Sequence, residues 1–129
     1  MMRGTLCERM GMELISLSES GGVMSMPVAG NTQPMGLLHG GATIALAETV
    51  ASFAGILRAR TLYGENAAGV GTSVSALHHR SGRSGIVTAT ASARHLGRTV
   101  TSYLVDVHDE AGVLLSTITV SVQLLPPRE

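Results

Sequence analysis

The sequence has no lysine and no tryptophan, and it contains a single cysteine, Cys7, among 129 residues. Its only aromatic side chains, histidine aside, are Phe53, Tyr63 and Tyr103. One cysteine cannot form an intrachain disulfide, which favours a reducing cytoplasmic setting. The scarcity of aromatic rings removes the stacking platforms that proteins use to bind single-stranded nucleic acid.

Net charge is absent as well. Nine basic residues, all arginine, balance nine acidic residues, and the isoelectric point is about 7.0. A neutral chain has no excess charge to attract nucleic acid or a membrane surface. The longest apolar stretch, residues 42–57, includes Glu48 and is shorter than the roughly 20 residues of a transmembrane helix. We therefore expect neither nucleic acid nor a membrane as a partner.

What the chain does contain is aliphatic. Hydrophobic residues make up 44% of it and the mean hydropathy is +0.29, which is typical of a globular protein. A length of 129 residues suits one hydrophobic core, so residues 1–129 are expected to form a single domain.

The pattern of apolar residues and turn signals predicts two short strands, one long helix and then four strands. This order favours an α+β fold in which an antiparallel sheet of about six strands packs on the helix. The first long strand alternates, so Val70, Thr72, Val74 and Ala76 are expected on one face. The predicted elements are a short helix at 5–11, strands near 12–18 and 22–28, a loop over 29–38, a helix from Gly40–Gly41 to about Leu62 that ends at Gly64, and β-rich runs from 69 onward and at 84–94, 99–108 and 113–124.

Glu48 is the unusual residue of the long helix. The helix is apolar on nearly every side, which predicts that the rest of the protein encloses it. Glu48 and Ser52 are four residues apart and therefore share one face. A buried carboxylate costs several kcal/mol unless it is paired or protonated. Glu48 therefore either finds an arginine or backbone donors in the fold, or lines a pocket where it serves as a base or nucleophile.

The segment His39-Gly40-Gly41 stands at the start of this helix. Glycines there leave backbone N–H groups uncovered, and the helix dipole favours negative charge at that end. These are the requirements of an oxyanion hole. A flexible entry to the helix is the alternative, and two glycines alone do not separate the two interpretations.

The remaining histidines and arginines allow more than one interpretation. His78, His79, His95 and His108 lack a zinc-like spacing to Cys7, so a metal site is not expected. Arginines cluster near predicted strand ends and turns, where they are either solvated or bind an anionic ligand. These are Arg80, Arg83 and Arg98.

The pattern "QPMGLLHGGATIALAE…S", from Gln33 to Ser52, resembles the hotdog-fold acyl-CoA thioesterases of the phenylacetate-degradation-related group. It is most similar to the branch that acts on aryl-CoA esters such as 4-hydroxybenzoyl-CoA and 1,4-dihydroxy-2-naphthoyl-CoA. The likeness continues through "HHRSGRSG" and "ARHLGRT". The resemblance implies a sheet wrapped around one central helix and hydrolysis of an acyl-CoA to free acid and CoA.

The resemblance also implies catalytic roles for five residues in and just before the long helix. Glu48 is the catalytic carboxylate, acting as nucleophile or as general base, and the two roles stay open. The Gly40 N–H polarises the thioester carbonyl. Gln33 and His39 orient the thioester or the attacking water, and Ser52 helps to hold that water.

For the rest of the substrate, the resemblance implies arginine contacts to the CoA phosphates, which suit the forked guanidinium donors. No metal and no cofactor is implied, because CoA is part of the substrate. Met35, Leu37, Ala51 and Phe53 are candidate walls of the acyl pocket. The expected substrate-binding residues are Met35, Gly41, Arg80, Ser81, Arg83, Gly97 and Arg98.

The distance between Gly40 and Glu48 along the helix predicts how many subunits form one active site. Gly40 and Glu48 are eight residues apart, which is roughly 12 Å along a helix axis. Both groups must lie about 3 Å from the reacting carbonyl, so one helix cannot supply both. A homodimer with shared active sites is expected, with Gly40, Gln33 and His39 from one chain and Glu48 and Ser52 from the other. The resemblance implies further assembly into a homotetramer.

Two other functions fit parts of the pattern. A non-catalytic acyl-CoA-binding hotdog module would sense or carry its ligand, but it has no use for a carboxylate beside the thioester. A hotdog hydratase or dehydratase would use His39 and Glu48 on a β-hydroxyacyl chain, and the residues Gln33 and Ser52 weigh against it.

Overall fold

The computed structural model describes residues 2–128. Its element order agrees with the prediction, and most boundaries shift by only one or two residues. The first helix is the exception, since it covers four residues where residues 5–11 were expected. The elements are α1 (Leu6–Arg9), β1 (Glu13–Ser18), β2 (Gly21–Pro27), α2 (Gly40–Tyr63), β3 (Ala68–His78), β4 (Ile86–Leu96), β5 (Val100–His108) and β6 (Leu114–Leu125).

The six strands form one antiparallel sheet in the order β1-β2-β4-β5-β6-β3. The hairpins β4-β5 and β5-β6 lie in its centre, and α2 packs against one face. The chain leaves α2 and enters β3, which pairs with β6 at one edge of the sheet. The predicted α+β architecture, an antiparallel sheet around one long helix, is confirmed.

The core lies between α2 and the sheet and is built from aliphatic and methionine side chains. Small residues on the helix let it approach the strands closely. A Cβ placed on Gly55 would lie 2.6 Å from Cγ1 of Val122. The fully buried side chains include Met24, Met26, Leu46, Val50, Val87, Val105, Val107, Ile118 and Val120.

One face of α2 is left uncovered by the chain. The sheet buries Leu46, Val50 and Ala54 completely, but the opposite side of the helix is only partly buried. The expectation that a single chain encloses this helix was therefore wrong, because one sheet can cover only one side of a cylinder. The uncovered face consists of Ile44, Ala45, Glu48, Thr49, Ser52, Phe53, Ile56 and Leu57.

The 24 residues of α2 are long and apolar enough, by length and composition, to cross a membrane. The apolar run is thus longer than the sequence argument allowed. The helix nevertheless packs against the sheet, and its buried side chains belong to the core cluster. The apolar composition is accounted for by this packing and by the uncovered face.

The alternation predicted for β3 is interrupted by a β-bulge. Gly71 pairs with Val122 and Ser73 with Ser121, so Thr72 is an extra residue that shifts the phase of the strand. Val70 is consequently 46% exposed, although Val74 packs on the core. The prediction that Val70 and Val74 share one face was wrong for this reason.

Candidate active site

The loop before α2 fixes the histidine of the His-Gly-Gly segment. His39 is the N-cap of α2, and its ring Nδ1 accepts a hydrogen bond of 2.8 Å from the Gly41 N–H. The backbone N–H of His39 donates to the backbone carbonyl of Asn31 over 2.9 Å. Because Nδ1 is an acceptor, the neutral ring carries its proton on Nε2, and the side chain is exposed.

The first N–H groups of α2 differ in their partners. The Gly41 N–H is taken by His39, and the N–H groups of Ala42 and Thr43 donate to the His39 carbonyl over 3.0 and 3.2 Å. Within residues 2–128, the Gly40 N–H has no hydrogen-bond partner. A free donor therefore stands at the positive end of a 24-residue helix.

Gly40 lines a cavity of about 240 Å³ together with residues from the end of β3 and the start of β6. His78 lies directly against it, since a Cβ on Gly40 would be 2.9 Å from His78 Nε2. The other ring nitrogen, Nδ1, is 2.7 Å from the Ser116 hydroxyl. From the sequence, a metal-binding role was the one weighed for His78, and it was not expected. Its place in the "HHRSGRSG" segment, next to Arg80, was the signal for a site residue.

The same cavity reaches two of the predicted substrate-binding residues. Arg80 and Ser81 line it, and they also line an adjoining cavity of about 610 Å³ that includes Arg83. The Leu38 N–H donates to the Gly82 carbonyl over 2.8 Å, which ties this turn to the residues before α2. The structure therefore brings three of the expected substrate-binding residues, Arg80, Ser81 and Arg83, to the Gly40 end of the helix.

Gly97 and Arg98 do not join this group. They follow Leu96 at the far end of β4, whereas Arg83 precedes Ile86, and an eleven-residue strand spans roughly 33 Å. Their backbone carbonyls accept hydrogen bonds instead: Gly97 O from Arg58 Nε, at 3.1 Å, and Arg98 O from the Tyr63 hydroxyl. Treating the three arginines as one cluster was wrong for a single chain, because the β4 strand separates them.

Glu48 lies on the uncovered face of α2 and is only half-buried. Its carboxylate is fitted against β3, where a Cβ on Gly71 would be 2.7 Å from Oε2. Arg58, the nearest arginine in the sequence, binds Glu19 over 3.2 Å. In the part of the chain that the structure describes, this is the single salt bridge, so Glu48 has no cationic partner there.

Ser52 and Phe53 share with Glu48 a second cavity, of about 300 Å³. Of the four candidate acyl-pocket walls, Phe53 is the one that lines it. Ala51 is fully buried in the core and Met35 is 80% exposed at a loop tip. The assignment of Ala51 was wrong because this residue faces the sheet, whereas Met35 projects from the loop and stays a predicted wall of a shared site.

Gln33 lies in the same loop as Met35 and holds it in a tight turn. Its side-chain carbonyl accepts a hydrogen bond from the Met35 N–H, and its own N–H donates to the Leu37 carbonyl over 2.8 Å. Gly36, with φ of +80°, supplies the left-handed backbone that the turn needs.

The groups predicted to act together are thus divided between two places. The cavity at Gly40 and the cavity at Glu48 have no lining residue in common. Over residues 2–128, no three His, Cys, Asp or Glu side chains are grouped so that they could hold a metal ion. The chemistry available in one chain is a free N–H donor in one cavity and an unpaired carboxylate in the other.

Comparison with known proteins identifies the family. The family model of the thioesterase superfamily matches residues 35–116, a range that contains both cavities' central residues. The chain belongs to the thioesterase superfamily. The proofreading thioesterase EntH of Cronobacter turicensis is 43% identical to it over 110 residues, which are 84% of this chain and 77% of that protein.

The solved structure of a thioesterase agrees with this assignment. A thioesterase from Haemophilus influenzae superposes with a TM-score of 0.89 at 32% identity, covering 99% of this chain and 87% of its own. The PaaI protein from the phenylacetic acid degradation operon of E. coli has the same fold, with a TM-score of 0.81 at 23% identity and coverage of 94% and 84%. The fold of this thioesterase is the hotdog fold, and its reaction class is thioester hydrolysis.

Proposed function

We propose that this thioesterase hydrolyses acyl-CoA esters with bulky, aryl acyl groups, in active sites that two subunits share. The observation that carries the proposal is the division of the functional groups. The free Gly40 N–H and the unpaired Glu48 carboxylate lie in separate cavities of one chain. They become useful together when a second copy supplies the missing half.

The uncovered surfaces of the chain favour such a pairing. The apolar face of α2 is only partly buried, and β3 is an edge strand beside it with one hydrogen-bonded neighbour, β6. An edge strand presents unpaired backbone groups that a second strand can satisfy. Antiparallel pairing of β3 with its copy across a two-fold axis would bring the two α2 helices together, with the Gly40 end of one beside the Glu48 of the other.

In the proposed reaction the thioester carbonyl accepts a hydrogen bond from the Gly40 N–H, and the helix dipole stabilises the negative charge that develops on this oxygen. Glu48 then acts in one of two ways. As a general base it takes a proton from a water that attacks the carbonyl carbon; as a nucleophile it forms a mixed anhydride that water hydrolyses. In both cases the carbon–sulfur bond breaks, and CoA leaves as a thiolate that takes up a proton.

Gln33, His39 and Ser52 are proposed to position the thioester and the water. Arg80, Ser81 and Arg83, which line the Gly40 cavity and the cavity adjoining it, are proposed to bind the CoA phosphates. Gly97 and Arg98, which lie far from the Gly40 cavity of their own chain, are proposed to contact substrate in a site shared with another subunit, and assembly into a homotetramer is proposed as well. We also propose a cytoplasmic setting, with no cofactor besides the CoA portion of the substrate.

A panel of acyl-CoA esters with detection of the free CoA thiol tests the proposal. Benzoyl-CoA and naphthoyl-CoA should be hydrolysed with higher kcat/KM than acetyl-CoA, and Glu48→Gln should lower turnover by orders of magnitude. Equal turnover of the variant and the native protein would contradict the role of Glu48. Tight binding of aryl-CoA without hydrolysis would favour a carrier module, and hydration of enoyl-CoA would favour a hydratase.

A further inference from the structure

The cavity beside Glu48 has one wall that sequence analysis did not assign to the site. Leu6 and Cys7 of α1 line it, opposite the residues of α2. The α2 side supplies Glu48, Ser52 and Phe53, together with Ala45 and Thr49. The short N-terminal helix thus borders the space next to the proposed catalytic carboxylate.

The position of α1 is fixed by a buried asparagine. The side-chain amide of Asn31, 8% exposed, donates to the Met10 carbonyl over 2.8 Å and to the Pro27 carbonyl over 2.7 Å. The Asn31 carbonyl in turn accepts the N–H of His39. One residue therefore connects the end of α1, the end of β2 and the N-cap of α2, which holds the wall in place relative to the site.

The chemistry of the walls selects a neutral, apolar ligand. Thr49 donates its hydroxyl to the Ala45 carbonyl over 2.6 Å, so this donor is already used. Apart from Glu48, Ser52 and Thr49, the side chains that line the cavity present carbon and sulfur, and none of the lining side chains is basic. An acyl group that carries a carboxylate would place its negative charge beside that of Glu48, and the cavity walls supply no cation to balance the two charges.

The size of the cavity sets a scale for the acyl group. Its volume of about 300 Å³ is roughly twice the ~150 Å³ of an engineered protein cavity that binds benzene. One aromatic ring would leave part of the space empty, whereas two fused rings would extend from Glu48 towards α1.

We infer that α1 is the acyl-selecting element of this thioesterase and that Cys7 limits the size of the acyl group. The inference rests on the proposed function and narrows it to neutral aryl groups of up to two fused rings. The acyl carbonyl lies at Glu48, and the distal end of the ring system contacts the Cys7 side chain.

Thiol labelling tests the contact without relying on turnover. Cys7 is the sole cysteine and is partly exposed, so one alkylation with N-ethylmaleimide reports on it alone. The probe is the thioether naphthacyl-CoA, which has a naphthyl ketone but no cleavable acyl–sulfur bond. It should slow labelling of the intact protein at least tenfold, whereas CoA without an acyl group should not. Equal labelling rates with the two compounds would overturn the inference.

Substitution tests the size limit. Cys7→Leu should lower kcat/KM for 2-naphthoyl-CoA at least tenfold relative to benzoyl-CoA, because the larger side chain occupies the distal space. Cys7→Ala should keep or raise that ratio, and Arg9→Ala, an exposed position on the same helix, is the matched control. An unchanged ratio in Cys7→Leu would also overturn the inference. If the native protein hydrolyses neither ester, the proposed function fails, and the labelling experiment still decides whether the cavity binds an aryl group.

Discussion

Gly71 is the residue on which the position of the Glu48 carboxylate depends most directly. A side chain there would occupy the space that Oε2 now fills, at 2.7 Å from the Cβ position. Gly71 faces α2 because the bulge at Thr72 sets the phase of β3. The unpaired carboxylate is thus held by shape rather than by a cation.

Gly71→Ala should therefore lower kcat at least tenfold while the protein stays folded, because the displaced atoms are the end of a flexible side chain. Gly69→Ala is the matched control. It lies on the same face of β3 but contacts Val122 and the α2 backbone instead of Glu48. Steady-state kinetics with an aryl-CoA, together with circular dichroism, measures both effects. Native kcat in Gly71→Ala would contradict the proposed role of this contact.

Tyr103 gives the fold a titratable group. Tyr103 is fully buried, and its hydroxyl donates to the backbone carbonyl of Glu19 over 2.8 Å. Burial is the main cause that raises the pKa of Tyr103 above its ordinary value of 10.0; the nearby Glu19 carboxylate also raises it, while Thr101 and Arg58 act in the opposite direction. The unfolded chain therefore loses this proton at lower pH than the folded protein.

The free energy of unfolding should consequently fall as the pH rises above about 10, and this contribution is fully present at lower pH. Tyr103→Phe should flatten that fall, although it loses about 1 kcal/mol at neutral pH with the hydrogen bond. Urea unfolding of both proteins between pH 8 and 11 makes the comparison. Parallel curves for the two proteins across that range would show that Tyr103 does not titrate as described.

At the scale of elements, the close approach of α2 to the sheet rests on Gly55. Its missing side chain leaves room for Val122, whose Cγ1 would be 2.6 Å and whose Cβ would be 3.0 Å from a new Cβ. Alanine in a helix is favoured over glycine by up to about 1 kcal/mol. Overpacking a core typically costs about 1–3 kcal/mol, so the clash should outweigh the gain in propensity.

Gly55→Ala should therefore lower the free energy of unfolding by about 1–2 kcal/mol. Combining it with Val122→Ala should give a double variant that is more stable than the sum of the two single effects predicts, because the smaller residue removes the clash. Chemical denaturation of the four proteins completes the cycle. Additive effects would mean that the two residues do not compete for the same space.

The order and approximate bounds of the helices and strands were largely predictable from the sequence. Which face of a strand a residue occupies, and which distant residues lie together, were not. The apolar run of α2 and the turn signals between strands are local, so element order and the sheet followed from them. The residues of β3 alternate regularly in the sequence and give no sign of the bulge at Thr72. Val70 was therefore assigned to the wrong face of the strand. The separation of Arg98 from Arg83 depends on the direction and length of β4. Gly40 and Glu48 could be predicted as candidate site residues because glycines and a carboxylate break an otherwise apolar pattern, while the cavity wall formed by Cys7 depends on tertiary packing.

At the scale of the whole molecule, the apolar side of α2 and the edge of β3 form a continuous region that one chain leaves uncovered. A partly buried, mostly apolar helix face next to an open sheet edge is typical of a surface that is buried on association. The proposed two-fold pairing would bury this region and would complete two active sites at once.

Subunit complementation tests the shared site most directly. Gly40→Pro removes the N–H donor at a helix position that accepts proline, and Glu48→Ala removes the carboxylate. Each variant alone should be inactive. After subunit exchange at equal concentrations, half of the dimers are mixed and each of these has one intact site, so about a quarter of native activity should return. As the control, Gly40→Pro is mixed with the double variant that carries both Gly40→Pro and Glu48→Ala, and this mixture should recover no activity. If native mass spectrometry shows mixed dimers and the mixture stays inactive, the shared-site account is contradicted.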